Sequence, residues 1–296
     1  MISRRKFVQT SAAVAVAPAL HAAGGMYISL NGALTGRMPW PDFARLAARL
    51  GYGGVDVNLG AALRDGLDAT RALFAEIKIK ASNTGLPFSL AGTEESFQAG
   101  LKKLDEAARF CSAIDCRAMV TWPPASTATP KPEFRKILKD RATAAGEILR
   151  ASNVRLGLEF LGPLALRKRQ PYEAIWRMDE MLELAKECGP NVGLLLDVWH
   201  WYHAGATKAD IVAAGKERIV HVHLSDCARM PPEDVRDDHR LLAGEGVIDL
   251  EGFFATLRKI GYVGGVSPEP IGRFPEGTPP EEGARLGLES ARKYVA

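Results

Sequence analysis

The chain has 296 residues, 47% of them hydrophobic and 25% charged, with 38 Lys+Arg against 35 Asp+Glu and a formal charge of +3. These proportions suit one large globular domain or two small ones and exclude a disordered or fibrous chain. So small an excess also excludes nucleic-acid binding through a strongly basic surface. The excess is local, because the first 23 residues carry Arg4, Arg5 and Lys6 and no acid, which leaves the remainder formally neutral.

That first segment reads as an export signal: a basic start, an apolar and small stretch from Ser11 to Leu20, then Ala22-Ala23 as a cleavage point. It is too short to span a membrane, so no stable membrane anchor is expected. Ser3-Arg4-Arg5-Lys6-Phe7 resembles the twin-arginine signal, which implies an exported, periplasmic protein. Residues 1–23 are therefore set aside, and 24–296 are read as one domain. Cys111, Cys116, Cys188 and Cys227 form no C-x-x-C pair, and buried free thiols are expected.

Along the rest of the chain, short apolar runs alternate with longer amphipathic ones, the rhythm of strand-helix units around a parallel sheet. The strands expected are Met26–Leu30, Gly54–Asn58, Pro87–Ala91, Ala118–Trp122, Arg155–Phe160, Val192–Asp197, Ile219–Leu224 and Gly265–Glu269. Helices are expected over Pro41–Leu50, Tyr172–Cys188, Leu250–Ile260 and Glu281–Val295, among others. Eight such units match an α/β fold of the (β/α)8 TIM barrel type, which takes ~250 residues. A doubly wound open sheet is the alternative, but Gly32 is followed by no phosphate-binding glycine fingerprint.

A barrel of this kind carries its chemistry at the C-terminal ends of its strands. Four consecutive strands end in groups that an apolar core would not otherwise hold: Glu159, Asp197, His223 and Glu269. Carboxylates buried together need a common counter-charge. Three carboxylates and one imidazole suit one divalent metal ion, with Mn2+ or Mg2+ favoured and Co2+ or Zn2+ also accommodated. In His221-Val222-His223 the two rings share a face, and the one nearer the strand end is the better ligand, leaving His221 as a packed core histidine.

Glu159, the Leu-Leu-Leu-Asp-Val-Trp-His stretch holding Asp197 and His200, the His-Val-His-Leu-Ser-Asp stretch of His221 to Asp226, Gly244-Glu245-Gly246 and Glu269-Pro270 together resemble the xylose isomerase-like sugar isomerase/epimerase superfamily. The specific motifs cover the second half of the chain; in the first half Gly51-Tyr52-Gly53-Gly54-Val55-Asp56 is the best echo. The resemblance implies a metal held by Glu159, Asp197, His223 and Glu269, with Glu159 and Glu269 as the catalytic acid/base pair, and it assigns His200 and Arg229 to the substrate. It implies a small-molecule carbohydrate substrate, a ketose or keto-sugar isomerised or epimerised through an enediolate. Dehydration of an inosose or cleavage of a keto-glycoside on the same site is the alternative reaction. A homo-oligomer is compatible with the family.

Two other readings compete. Asp237-Asp238-His239-Arg240 resembles the segment that supplies additional zinc ligands in endonuclease IV, but no histidine lies between the signal and His200, and the neutral domain offers no surface for a phosphate backbone. A reduced form keeps His200, Asp237 and His239 as a second metal site, against the blander view of Asp237 and His239 as loop residues. A non-catalytic sugar-binding protein is the remaining class, and retention of all three carboxylates argues for the enzyme. Arg167-Lys168-Arg169 after the fifth strand is either a solvated loop or a receiver of acidic groups.

Overall fold

Residues 25–295 are described by a computed structural model; the export signal expected over 1–23 lies outside the described residues. Nine strand segments form one parallel sheet: Tyr27–Leu30, Gly54–Val55, Lys80–Ala81, Thr84–Gly85, Ala118–Thr121, Arg155–Glu159, Val192–Asp197, Ile219–Leu224 and Gly265–Pro268. Tyr27–Leu30 pairs with both Gly54–Val55 and Gly265–Pro268, so first and last strands are neighbours. Lys80–Ala81 pairs with the second strand and Thr84–Gly85 with Ala118–Thr121. These two segments are one strand interrupted at Ser82-Asn83, and through it eight strand positions close into a TIM barrel with helices outside.

Seven of the eight expected strands fall on barrel strands, two of them, Val192–Asp197 and Ile219–Leu224, with the expected bounds and the other five shorter by one to three residues. The third is a correction: Pro87–Ala91 lies in a loop, and the barrel uses Lys80 to Gly85 instead. That stretch shows no apolar run because three consecutive buried residues, Ser82, Asn83 and Thr84, are polar. Asn83 Nδ2 donates to Asp56 Oδ1 at 2.7 Å, and Thr84 Oγ1 donates to the Val57 carbonyl at 2.8 Å. Pro87, with no N–H to give, was a poor strand residue from the outset.

Every residue of Val192–Asp197 and of Ile219–Leu224 is buried, as befits strands covered on both sides. The helix Trp40–Leu50 places Pro41 in its first turn, buries Trp40, Phe43, Ala44, Leu46 and Ala47, and stops at Gly51, whose φ of 86° suits glycine. The helix expected from Tyr172 starts only at Met178, because Tyr172–Glu173 pairs in antiparallel fashion with Ser126–Thr127 over the mouth of the barrel. All four cysteines are buried and free. No helix among the described residues is long and apolar enough to cross a membrane.

Candidate metal centre at the mouth of the barrel

Asp197 closes the sixth barrel strand and caps the next helix, Val198–His203. Its Oδ1 accepts from the N–H of Trp199 at 2.7 Å and of His200 at 3.1 Å, leaving Oδ2 for the barrel mouth. His223 sits on the seventh strand with Nδ1 3.8 Å from Asp197 Oδ2, 3.8 Å from Glu159 Oε1 and 3.1 Å from Glu269 Oε2. Glu269 follows the eighth strand, where its N–H still bonds to the Leu224 carbonyl at 2.8 Å. The four residues expected from strand ends are therefore brought together.

Two of the converging atoms, Glu159 Oε1 and His223 Nδ1, are buried and lack an aligned hydrogen bond. One ligand atom each of Asp197, His223 and Glu269 lies within 4.8 Å of the others, and the same holds for Glu159, Asp197 and His200. Buried donors aimed at one another without partners are what a divalent cation would satisfy, and three carboxylates with one imidazole are a fitting set. Sequence reasoning reached this set because each member ends an otherwise apolar strand.

The protein itself places a positive charge among these groups. Arg240, 2% exposed, sends Nη1 to Asp197 Oδ2 at 2.8 Å and to Glu269 Oε2 at 3.0 Å, while Nη2 reaches Asp237 Oδ1 at 2.7 Å and His200 Nε2 at 3.1 Å. Its guanidinium carbon lies 4.7 Å from the centre of the Trp199 ring. Arg229, the arginine expected at the substrate, is exposed on the loop past Asp226–Cys227, and Arg240 is the buried arginine beside His200. Asp237 turns to Arg240, and His239 is 52% exposed, 3.9 Å from Asp238 Oδ1. Those two residues thus behave as parts of the loop, without converging on His200.

The proton balance follows from these contacts. Burial, reinforced by Asp197, pushes the Glu159 carboxyl well above the usual carboxylate range. Burial would raise Asp197 too, but Arg240, His223 and the backbone N–H of His200 outweigh it and hold the group ionised. Burial likewise opposes ionisation of Glu269, and His223 and Arg240 overcome it. For His223 burial favours the neutral ring, yet Glu269, Glu159 and Asp197 lift it to about 10. His200 is driven down to about 3, chiefly by burial, and remains neutral. Since Arg240 donates to its Nε2, the His200 proton sits on Nδ1, which is buried without a partner.

Behind His223 lies a polar layer that the sequence did not announce. Asp56, after the second strand, accepts from Ser29, Asn31, Asn83 and Ser267 at 2.6 to 3.0 Å. His221 joins it through Nε2, 2.7 Å from Ser267 Oγ and 2.9 Å from Asn83 Nδ2, in the core role expected of it. One ligand atom each of Asp56, His221 and His223 lies within 4.8 Å of the others, so the layer backs the histidine that faces the carboxylates.

Comparison with known proteins places this geometry in a lineage. An inosose isomerase of Halalkalibacterium halodurans is 28% identical over 140 residues, covering 47% of this chain and 47% of the relative, so the chain spans about half the length of that relative in the match. A xylose isomerase domain protein from Alicyclobacillus acidocaldarius has a solved structure with a TM-score of 0.84 and 31% identity, covering 91% of this chain and 98% of that one. The IolI protein, solved with a bound zinc atom, superposes with a TM-score of 0.78 at 22% identity over 91% of this chain and 98% of its own. The family model described as "Xylose isomerase-like TIM barrel" matches residues 44–294, nearly the whole barrel, and the chain belongs to that family.

Proposed function

We propose that this protein is a divalent-metal-dependent sugar isomerase/epimerase, acting on a ketose or a cyclic keto-polyol by removing a proton from the carbon beside the carbonyl. The observation that carries the reading is the convergence of Glu159, Asp197, His223 and Glu269 with two buried, unpartnered ligand atoms among them. The half-length similarity to an inosose isomerase and the zinc atom of a fold neighbour support it. The signal-like residues 1–23 support an exported, periplasmic protein.

Glu159, Asp197, His223 and Glu269 would hold the metal, and the bound ion would acidify the C–H by drawing charge from the carbonyl and the neighbouring hydroxyl. Glu159 is suited to take the proton, because burial beside Asp197 gives its carboxylate a strong proton affinity once it is ionised. Glu269, at the eighth strand across the mouth from the fifth, is suited to deliver a proton to the other face, as epimerisation requires. His200 carries its proton on Nδ1, free of any protein partner and suited to a substrate oxygen, while Arg240, its N–H groups engaged by Asp197, Glu269, Asp237 and His200, balances by its charge the negative charge that builds as the proton leaves. Return of the proton to the adjacent carbon gives isomerisation, so the product distinguishes the outcomes.

The test is solvent exchange in deuterated water with metal-loaded protein and a panel of ketoses and inososes, followed by mass spectrometry of the recovered sugar. At least one substrate should gain a single carbon-bound deuterium, and Glu159→Gln should slow that gain by ~10²–10⁴-fold while leaving the fold intact. Exchange by Glu159→Gln at the wild-type rate would remove Glu159 from the proton path.

A further inference from the structure

Against the end of the helix that carries His200 and His203 lies a cavity of about 260 Å³, lined by Arg167, Leu164, Tyr202, His203, Met230 and Val235 among others. It has no part in the chemistry described above. Two of its polar atoms, Arg167 Nε and His203 Nε2, are buried and without hydrogen-bond partners. We propose that this cavity receives an oxyanion substituent, a carboxylate or a phosphate ester, carried by the substrate at a distance from its reacting carbon. The inference rests on the proposed sugar isomerase/epimerase reading and narrows its substrate to an acidic sugar.

Arg167 is held ready rather than left loose. It ends the short helix Leu164–Arg167, and its guanidinium carbon stands 3.8 Å from the centre of the Trp176 ring. Glu173 is its nearest carboxylate, 3.9 Å from Nη1 and beyond hydrogen-bond reach, and that acid is engaged by Trp176 Nε1 at 2.9 Å. The helix is tied down by Ser126 Oγ, which donates to the Leu166 carbonyl at 2.8 Å. A guanidinium stacked on one face with its Nε–H unpaired offers the edge that binds oxyanions in a forked fashion. Burial lowers the His203 pKa to about 4, so near neutral pH its ring adds a hydrogen bond and no charge.

The position fits a substituent of the same molecule that reaches the metal. His203 lies one helical turn beyond His200, and its ring is 4.4 Å from that of Trp199, whose ring also meets the Arg240 guanidinium. Close packing holds the Arg167 helix beside the His203 helix, because Gly162, which leads into the first, lies against the second. A Cβ there would come within 2.6 Å of the His200 carbonyl oxygen. A space of about 260 Å³ is below the usual size of a whole ligand pocket and suits one substituent. Lys168 and Arg169, exposed beside it, add positive charge at the approach.

The proposal is tested by equilibrium binding of D-glucose, D-glucuronate and D-glucose 6-phosphate to metal-loaded protein, read by tryptophan fluorescence, with Trp176 stacked on Arg167 as reporter. At least one acidic sugar should bind tenfold or more tightly than glucose, and the acid preferred identifies carboxylate or phosphate as the group accepted. Arg167→Ala should abolish that preference without changing glucose binding, Arg167→Lys should restore part of it, and thermal melts should confirm that both variants fold. Equal binding of the three sugars, or a preference untouched by Arg167→Ala, would overturn the inference. Metal content and deuterium exchange on the same preparations separate the two ideas. Absence of exchange with intact acid preference counts against the isomerase reading alone, and exchange without acid preference counts against the cavity alone.

Discussion

At the scale of single residues, Arg240 is the group on which the metal-free site depends. Its Nη1 serves Asp197 and Glu269 together, and with the His223 proton it offsets the carboxylates within the barrel mouth. Arg240→Ala should therefore destabilise the metal-free protein by ~3–5 kcal/mol, the cost of leaving buried acids unpaired. Added Mn2+ or Zn2+ should recover much of the loss, because it supplies the missing charge. Thermal melts with and without metal check this, and a variant as stable as wild type without metal would deny Arg240 the role. Glu159, Asp197, His223 and Glu269 were legible in the sequence because each is a polar full stop after an apolar strand. Arg240 was not, because its contacts depend on the path of an irregular loop and no periodicity reports that path. Arg229, to which the resemblance pointed, lies on the same loop with its side chain exposed.

At the scale of elements, what carries Arg240 into the site is a carboxylate staple. Asp226 is 1% exposed and accepts from the backbone N–H groups of Cys227, Gly244, Gly246 and Ile248 at 2.9 to 3.1 Å. The short pairing of Asp226–Cys227 with Arg240–Leu241 adds to it. Gly246 is required there, since a Cβ would stand 2.2 Å from the Cys227 carbonyl. Asp226→Asn exchanges an acceptor for a donor and should raise amide hydrogen exchange at Gly244, Gly246 and Ile248, with Val192–Asp197 unaffected. Equal protection in the variant would mean that the loop is held by other contacts. Both the Gly-Glu-Gly motif and Asp226 were visible in the sequence, but their bond to one another was not. The third barrel strand escaped for a related reason: Ser82, Asn83 and Thr84 are buried polar residues, and Asn83 and Thr84 are held there by partners 27 residues away in the chain.

At the scale of the molecule, the fold follows from eight repeats of one pattern, and seven of the eight strands could be placed because strands covered on both faces read as apolar runs. The barrel brings chain segments more than a hundred residues apart to one rim, with Glu159 and Glu269 both beside His223. Its N-terminal half, where the sequence matched the family only in rhythm, supplies Asp56, Ser29, Asn31 and Asn83 to the polar layer that Ser267 and His221 complete. The formal charge of +3 belongs to the first 23 residues, so the electrostatics that matter are local to the barrel mouth. The measurement that tests this account most directly is the divalent metal retained per chain after exhaustive dialysis, taken with deuterium exchange on the same sample. Close to one ion per chain is expected, falling together with exchange in Asp197→Asn and after chelation. Full exchange in a metal-free preparation, or an ion retained equally by Asp197→Asn, would contradict it.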